Sequence, residues 1–368
     1  MKVFLAGVAL IGIGSGRAAA AVWLECDGDK IQWLSDPTIR VDDSIHALAE
    51  QGLDWVVDRW SENPTVIDVA LRLGERRVSR DNGQNEVWFS TSDDVFDGSS
   101  GVSYIWYECG SDGNDEITET DVLFDADRLW TYGDSKVSIV GEFAEEIRMK
   151  AYGGAHRAFR ATAMHEFGHS LGLQHHDDEY NVMGDSQRHL HANGNVVRAY
   201  PGEDAIGGLT SLYEEDLGHE DVSVTHWKWV GRNEEYSRHG RTQIFSEDNF
   251  ATELETTEVD DETGFLVDNG QEIWVQFSYE NNGSSTQEAD VGFYLSTNNL
   301  ISTWDERLSG RTLTLVQNDV YTKRHRVRLP NDLDPDTDYW IGAIVDEDDE
   351  IDEVVEWNNA TYIGIHVR

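Results

Sequence analysis

Three histidines between residues 165 and 175 have the spacing of a metal site. His165 and His169 are four residues apart, so on a helix their imidazoles lie on one face, about 6 Å apart along the axis, and can bind one ion. His175 follows after Gly172, a residue that can take a positive φ and end the helix. We therefore expect the chain to turn at Gly172 and to bring His175 to the same ion. Three neutral imidazoles with one open position are typical of a catalytic zinc ion.

Two further residues complete the predicted site. Glu166 lies about 100° round the helix from the first histidine, so it can act as a general base on a metal-bound water instead of binding the ion. Met183 follows eight residues after His175. His176 is a competing ligand, but the spacing favours His175, and we interpret His176 as a residue behind the ligands or in solvent.

These residues resemble the extended zinc-binding signature of the metzincin metalloproteases, which is matched at His165, Glu166, His169, Gly172 and His175. Within that clan, the run His-Glu-Phe-Gly-His-Ser-Leu-Gly-Leu is most similar to the matrixin branch. The resemblance implies that Met183 forms a turn whose thioether lies beneath the zinc ligands. Matrixins usually carry proline two residues after that methionine, where this chain has Asp185, so the resemblance does not extend to substrate specificity.

The resemblance predicts a zinc metalloendopeptidase that cleaves protein or peptide substrates. Zinc would lower the pKa of its bound water towards about 7, and Glu166 would take the proton as that water attacks the peptide carbonyl. The alternative is a non-catalytic surface or adhesion protein that keeps a metalloprotease-like scaffold and binds through a β-sandwich. A short His-Glu-x-x-His match occurs by chance on surface helices, but the base together with all three ligands favours the enzyme.

A strand-like run, Gly101–Tyr107, falls where matrixins have the edge strand above the cleft. The resemblance implies that this strand binds an extended peptide through its unpaired backbone groups and presents one bond to the zinc. The residues assigned to this substrate edge are Val102, Ser103, Tyr104, Ile105 and Trp106. An ordinary sheet strand explains the run equally well.

Residues 1–20 predict a signal peptide. Lys2 is followed by an apolar run from Val3 to Gly14 and then by small residues around Ala20. The apolar run would reach about 18 Å as a helix, well short of the roughly 30 Å core of a bilayer, so cleavage is favoured over a membrane anchor. We expect a secreted, extracellular protein without membrane insertion, either free or retained at the cell surface.

The acidic composition argues against two classes of partner. The chain has 71 Asp and Glu residues against 28 Lys and Arg residues, for a formal net charge of −43. Such a charge repels nucleic acids and anionic lipid surfaces and favours solubility. We therefore expect no nucleic-acid partner. The expected partners are the protein or peptide substrates of a protease, and the expected state is a monomer.

Cys26 and Cys109 are the two cysteines of a chain that we expect to be exported, so a disulfide between them is the default prediction. The alternative is that Cys26 blocks the zinc, as a propeptide cysteine does in many matrixins. Only a few residues separate the signal peptide from the first strand-like run, so no propeptide fits and the disulfide is favoured.

Residues 21–216 predict an α+β, metzincin-like catalytic domain with a twisted mixed sheet and an active-site helix. The expected strands are Lys30–Leu34, Val66–Leu73, Glu86–Ser90 and Val102–Tyr107. The expected helices are one capped by Asp42 or Asp43 and ending at Trp60, the active-site helix from about Gly154–Ala155, and a closing helix from Pro201 to about Tyr213.

Calcium is a further cofactor that the resemblance allows. Acidic stretches at Asp112–Glu116 and Asp125–Asp127 lie where matrixins often bind Ca²⁺, and Asp346–Glu350 is a third acidic run. The first two lack the glycine and terminal glutamate of an EF-hand loop, and hydrated acidic loops are common in a chain this acidic.

Residues 217–368 predict an all-β, immunoglobulin-like sandwich, whose first part can be a linker. Strand-like segments include Ile273–Phe277, Val291–Leu295, Thr312–Leu315 and Trp340–Val345. Similarity to the CARDB, or adhesion-related, module of bacterial surface proteins is found at Glu280–Gly283, Tyr294–Ser302 and Glu353–Asn359. The resemblance implies a domain that binds a surface or a substrate, and we expect deletion after about Leu217 to spare the cleavage of small peptides.

Overall fold

The computed structural model describes residues 2–5, 22–96, 98–110, 115–134, 136–138, 150–152, 157–175, 182–184, 190–225, 242–247, 251–260 and 262–368. Sequence predictions that lie outside these residues concern most of the signal peptide, Asp112–Asn114, the helix start at Gly154–Ala155, His176 and Asp185. Within the described residues, no helix is long and apolar enough to cross a bilayer.

In the part that the structure describes, the N-terminal region, residues 22–216, combines the following helices and strands. The helices are α1 Ala47–Ser61, α2 Asp93–Phe96, α3 Phe159–Ser170 and α4 Glu203–Leu212. The strands, including one at the start of the chain, are β1 Lys2–Leu5, β2 Val22–Trp23, β3 Glu25–Cys26, β4 Asp29–Lys30, β5 Thr38–Asp42, β6 Ala70–Glu75, β7 Glu86–Ser90, β8 Gly101–Glu108, β9 Glu116–Asp125, β10 Trp130–Thr131, β11 Lys136–Ser138, β12 Lys150–Tyr152, β13 Arg157–Ala158, β14 Leu173–Gln174, β15 Leu190–Asn193 and β16 Val196–Ala199.

A mixed sheet organises this region. Its strand order is β1-β8-β9-β7-β5-β6, in which β5, β6, β7 and β9 run parallel and β8 is antiparallel to β9. Strand β1 pairs antiparallel with the outer edge of β8, with Lys2 opposite Tyr107 and Leu5 opposite Tyr104. Apart from these first residues of the chain, β8 is the outermost strand on its side of the sheet.

The two faces of the sheet bury different clusters. Helices α1 and α3 pack against one face of the sheet and form the main core with it. The largest members of this core include Trp60, Phe124, Phe159 and Phe167. Tyr104 and Trp106 of β8 belong to a smaller cluster, whereas Ile105 and Tyr107 belong to the main core. Because side chains alternate along a strand, Ser103 faces the same side as Ile105, towards the helices.

The predicted start of the first helix is wrong. Asp42 ends strand β5, and α1 begins only at Ala47. The Nδ1 of His46 accepts the N–H of Leu48 at 3.2 Å and caps the helix in place of Asp42 or Asp43.

Two predicted strands are shorter than expected, whereas the prediction of Glu86–Ser90 is confirmed by β7. Only Lys30 of the run Lys30–Leu34 lies in a strand, at the end of β4. Strand β6 begins at Ala70 rather than Val66. The reason is a turn in which Asn63 donates its amide N–H to the carbonyl of Ile67 at 3.2 Å.

The C-terminal region, residues 217–368, is made of strands in the part that the structure describes. These strands are β17 Val222–Thr225, β18 Ile244–Ser246, β19 Thr256–Val259, β20 Glu262–Val267, β21 Glu272–Asn281, β22 Gln287–Ser296, β23 Glu306–Leu315, β24 Asp319–Arg328, β25 Thr337–Val345 and β26 Ala360–Val367. The predicted segments around residues 273–277, 291–295, 312–315 and 340–345 all lie within them, so the prediction of a β-rich region is confirmed.

These strands form two sheets around one core. Strands β17, β18 and β24 pair with β21, and the second sheet has the order β19-β20-β26-β25-β22-β23. Phe277 of the first sheet stacks on Phe293 of the second, with ring centroids 6.4 Å apart. The buried residues of this core run from Val222 to Val367, whereas those of the main N-terminal core run from Leu24 to Tyr213. The two regions therefore have separate cores.

Candidate metal centre

Helix α3 carries the predicted His-Glu-x-x-His residues through the middle of the N-terminal core. His165, Glu166 and His169 are each at most 3% exposed. The indole N–H of Trp60 on α1 donates to the carbonyl of Met164 at 3.0 Å and ties α3 to its neighbour beside the first histidine. A helix buried on all sides can carry polar side chains only when each of them meets a partner.

The chain turns back at the end of α3. Gly172 has a φ of +97°, so the predicted positive φ is confirmed. The next residues form β14, which pairs with Val22–Trp23, and the N–H of Leu24 donates to the carbonyl of Gly172 at 3.0 Å. This pairing with the start of the N-terminal region returns His175 to the helix.

The three predicted ligands lie together. The Nε2 of His165 is 3.0 Å from the Nε2 of His169 and 3.0 Å from the Nε2 of His175. One ring nitrogen from each residue lies within 4.8 Å of the other two. A tetrahedral zinc ion with ligands at about 2.0–2.1 Å places neighbouring nitrogens about 3.3 Å apart. This spacing is close to the observed one, and we call the three residues the histidine triad.

Backbone carbonyls fix the tautomer of two of the histidines. The Nδ1 of His165 lies 2.8 Å from the carbonyl oxygen of Val182, and the Nδ1 of His169 lies 2.8 Å from that of Leu173. Because a carbonyl can only accept, both Nδ1 atoms carry the proton, and both Nε2 atoms are acceptors directed at each other. Two acceptor nitrogens 3.0 Å apart repel unless a cation lies between them. The triad therefore fits a metal ion, held by rings that backbone groups orient from behind.

Glu166 is held by the predicted substrate edge. The Oγ of Ser103 on β8 lies 2.9 Å from the Oε2 of Glu166 and 2.8 Å from its backbone carbonyl. A Cβ on Gly101 would lie 2.8 Å from the Cγ of Glu166 and 2.9 Å from its Oε1, so only glycine leaves room for this side chain. From the sequence, only a substrate-binding role is predicted for Ser103. Its contact with Glu166 has no local signal, because the two residues are 63 positions apart in the chain.

Met183 lies against the helix between the two helical histidines. It is 2% exposed, and its Sδ occupies the space that a Cβ on Gly168 would need. The N–H of Val182, the residue before it, donates to the carbonyl of Pro201 at 3.0 Å. Glycine at position 168 thus lets the thioether approach the helix backbone behind the triad.

The predicted disulfide between Cys26 and Cys109 is present, with Cα atoms 5.9 Å apart. It joins β3 to the residue that follows β8. Because both cysteines of the chain are used in this bond, Cys26 is not available as a zinc ligand.

The described acidic stretches do not support calcium. Among the described residues, the converging sets of potential ligands are the histidine triad and a set of Cys26, Cys109 and Asp115, which contains the disulfide. Asp125 forms an ion pair with Arg128 at 3.2 Å instead. In the third acidic run, residues 346–350, the first carboxylate accepts backbone N–H groups of its own turn.

Comparisons with known proteins agree with this site. Residues 86–214, which include the triad, match the family model of the matrixin peptidases. Matrix metalloproteinase-C of Caenorhabditis elegans is 27% identical over 193 residues, an alignment that covers 50% of this chain and 27% of that protein. The chain thus spans about a quarter of the length of this curated relative.

Solved structures similar to the chain include two of the same domain. The crystal structure of a CARDB domain from Pyrococcus furiosus, in complex with di-metal ions, is 14% identical, with a TM-score of 0.25, and covers 41% of this chain and 91% of that chain. The solution structure of the same domain is 15% identical, with a TM-score of 0.25, and covers 41% of this chain and 97% of that chain.

The match to the family model and the alignment with the nematode enzyme confirm the resemblance that the histidines, Glu166 and Met183 predicted. Residues 86–214 of this chain are therefore similar to the matrixin peptidases.

Proposed function

We propose that the protein is a secreted, zinc-dependent endopeptidase. The observation that carries the proposal is the histidine triad, in which two tautomers are fixed from behind and the Nε2 atoms converge on one point. The similarity to the matrixin peptidases supports the proposal, because that family generally binds zinc. The non-catalytic alternative is not favoured, since a scaffold protein has no need for a buried glutamate clamped beside the triad.

The triad would hold the zinc, which when bound supplies a Lewis acid for the peptide carbonyl and lowers the pKa of a water. Glu166 acts as the general base: its carboxylate takes a proton during the attack and gives it to the departing amine. Ser103 orients that carboxylate through its hydroxyl, 2.9 Å away. Met183 supports the triad from behind and takes no part in proton transfer.

The substrate in this proposal is an extended peptide that pairs with β8, from Val102 to Trp106. This edge accepts an antiparallel strand in the structure, since Lys2–Leu5 pair with it over four residues. Because these residues belong to the predicted signal peptide, its removal would open the edge to a substrate.

We also propose that the chain is divided into three parts: a signal peptide at 1–20, a catalytic domain at 21–216 and a β-sandwich at 217–368. The separate cores on the two sides of residue 217 support this division. The disulfide supports export, because such bonds persist in oxidising compartments.

The test is cleavage of casein by the purified mature protein with and without a zinc chelator, alongside metal analysis. We expect chelator-sensitive cleavage with about one zinc per chain. Glu166→Gln should lower the rate by about 10²- to 10⁴-fold while zinc stays bound, because general-base catalysis typically contributes that much. The exposed Glu288 provides the control, and Glu288→Gln should cleave like the wild type.

Two results would count against the proposal. Full activity of Glu166→Gln would remove the assigned base. A zinc-loaded protein that cleaves neither casein nor a panel of unstructured peptides would favour the binding protein instead.

A further inference from the structure

The two regions meet at an interface centred on Trp357. Its ring centroid lies 5.7 Å from that of Trp55 on α1, 5.6 Å from that of His191 on β15 and 5.9 Å from that of Tyr200. The guanidinium of Arg198 on β16 lies 4.9 Å from the ring of Trp357. Four side chains of the N-terminal region thus surround one tryptophan of the C-terminal region, and central aromatic residues carry much of the binding energy of an interface.

The β15–β16 hairpin, residues 190–199, is also hydrogen-bonded to the C-terminal region. The side chain of Asn193 donates to the carbonyl of Ile301 at 3.0 Å and accepts the N–H of the same residue at 2.8 Å. The hydroxyl of Thr361 donates to the carbonyl of Ala192 at 2.9 Å. The loop between β22 and β23 therefore holds the hairpin at its tip, and strand β26 holds it along its side.

The residues that follow the hairpin lead to the metal centre. Tyr200 donates its hydroxyl to the carboxylate of Asp221 at 2.8 Å. The next residue, Pro201, accepts the N–H of Val182 at 3.0 Å, and the carbonyl of Val182 accepts the Nδ1–H of His165 at 2.8 Å. A short series of bonds thus connects the C-terminal region with a member of the triad.

We propose that the C-terminal region positions the metal site. Trp357 holds residues 190–201 in place, and Pro201 in turn holds the N–H of Val182, the residue whose carbonyl orients His165. The inference rests on the proposed function for the identity of the metal. Groups that hydrogen-bond a metal ligand from behind typically change metal affinity by about 10- to 100-fold when they are lost. The contacts lead us to expect, contrary to the sequence analysis, that the catalytic domain alone is impaired even on small peptides.

The test compares Trp357→Ala and Trp357→Phe with Trp304→Ala in the full-length mature protein. Trp304 is the matched control, since it lies in the same region and is 95% exposed. Zinc affinity is measured by competition with a chromophoric chelator, and hydrogen exchange of residues 182–201 is measured in the metal-free protein. We expect Trp357→Ala to weaken zinc binding about 10- to 100-fold and to speed exchange in that segment. Trp357→Phe should restore most of both, and Trp304→Ala should change neither.

Wild-type zinc affinity or wild-type exchange of residues 182–201 in Trp357→Ala would overturn the inference. If that variant does not fold, Asn193→Ala replaces it, because it removes two hydrogen bonds and leaves the aromatic contacts; it should speed exchange of the same segment by a smaller factor. A wild-type protein that binds no zinc at the triad would refute the proposed function, whereas the exchange measurement would still decide whether Trp357 holds residues 190–201 in place.

Discussion

At Gly168, between the two helical histidines, replacement by alanine has two opposite effects on stability: a gain in helix propensity and a loss from overpacking. Replacing a glycine inside a helix with alanine stabilises the helix by roughly 0.8–1.0 kcal/mol. At Gly168, however, the new Cβ would overlap the Sδ of Met183 and lie 2.9 Å from the Cζ2 of Trp60. Met183 is 2% exposed and Trp60 is 0% exposed, so neither side chain can move aside into solvent. Overpacking of this kind costs about 1–3 kcal/mol.

Since the overpacking term is the larger one, we expect Gly168→Ala to lower the free energy of unfolding by up to about 2 kcal/mol. Gly207 on α4 is the matched control, because the nearest atom to its new Cβ is 3.5 Å away, an ordinary contact. Gly207→Ala should therefore raise stability by up to about 1 kcal/mol. Urea unfolding of the metal-free variants measures whether each replacement lowers or raises the free energy of unfolding. A Gly168→Ala protein stabilised as much as Gly207→Ala would refute the packing of Met183 against the helix.

Three further predictions address catalysis, pH and redox state. Ser103→Ala should lower kcat by about 10- to 100-fold at unchanged zinc content, because a hydrogen bond to a charged group contributes about 1.5–3 kcal/mol; unchanged kcat would show that Ser103 does not orient Glu166. Burial raises the pKa of Asp221 to about 7, so the folded state binds its proton more tightly than the unfolded state and stability should fall as pH rises from about 4 to about 7. Asp221→Asn should flatten that part of the stability–pH curve in urea titrations, and an identical slope in both proteins would contradict the assignment. The double variant Cys26→Ser with Cys109→Ser should lose about 2–4 kcal/mol of stability in the same urea assay, and wild-type stability would argue against a structural role for the bond.

The local part of the metal site could be predicted from the sequence because its geometry is set by one helix and one turn. The spacing of His165 and His169 places both rings on one face of any helix. Gly172 has the positive φ that its residue type allows at a helix end. The strands of the C-terminal region could be located for a similar reason, since alternation and turn residues are local signals.

The rest of the site depends on contacts between distant parts of the chain, for which the sequence carries no spacing signal. The hydroxyl of Ser103 bonds to Glu166, 63 residues away. The sequence places Trp357 only in a CARDB-like segment. In the structure its ring packs against side chains of the N-terminal region, including Trp55 and His191. The cap of α1 was missed because His46, an uncommon capping residue, takes the place of nearby aspartates.

The pairing of β2 with β14 has a consequence for the order in which the protein folds. Trp23 and Leu173 are partners although 150 residues separate them. Helix formation brings His165 and His169 together within about a microsecond, whereas closing so long a loop is entropically costly and slow. We therefore expect His175 to join the other two ligands late in folding, so that a chain lacking this pairing presents only two of the three histidines together. Because Val22 and Trp23, which pair with the strand before His175, lie directly after the predicted leader, we expect full metal affinity only after this first segment has paired with β14.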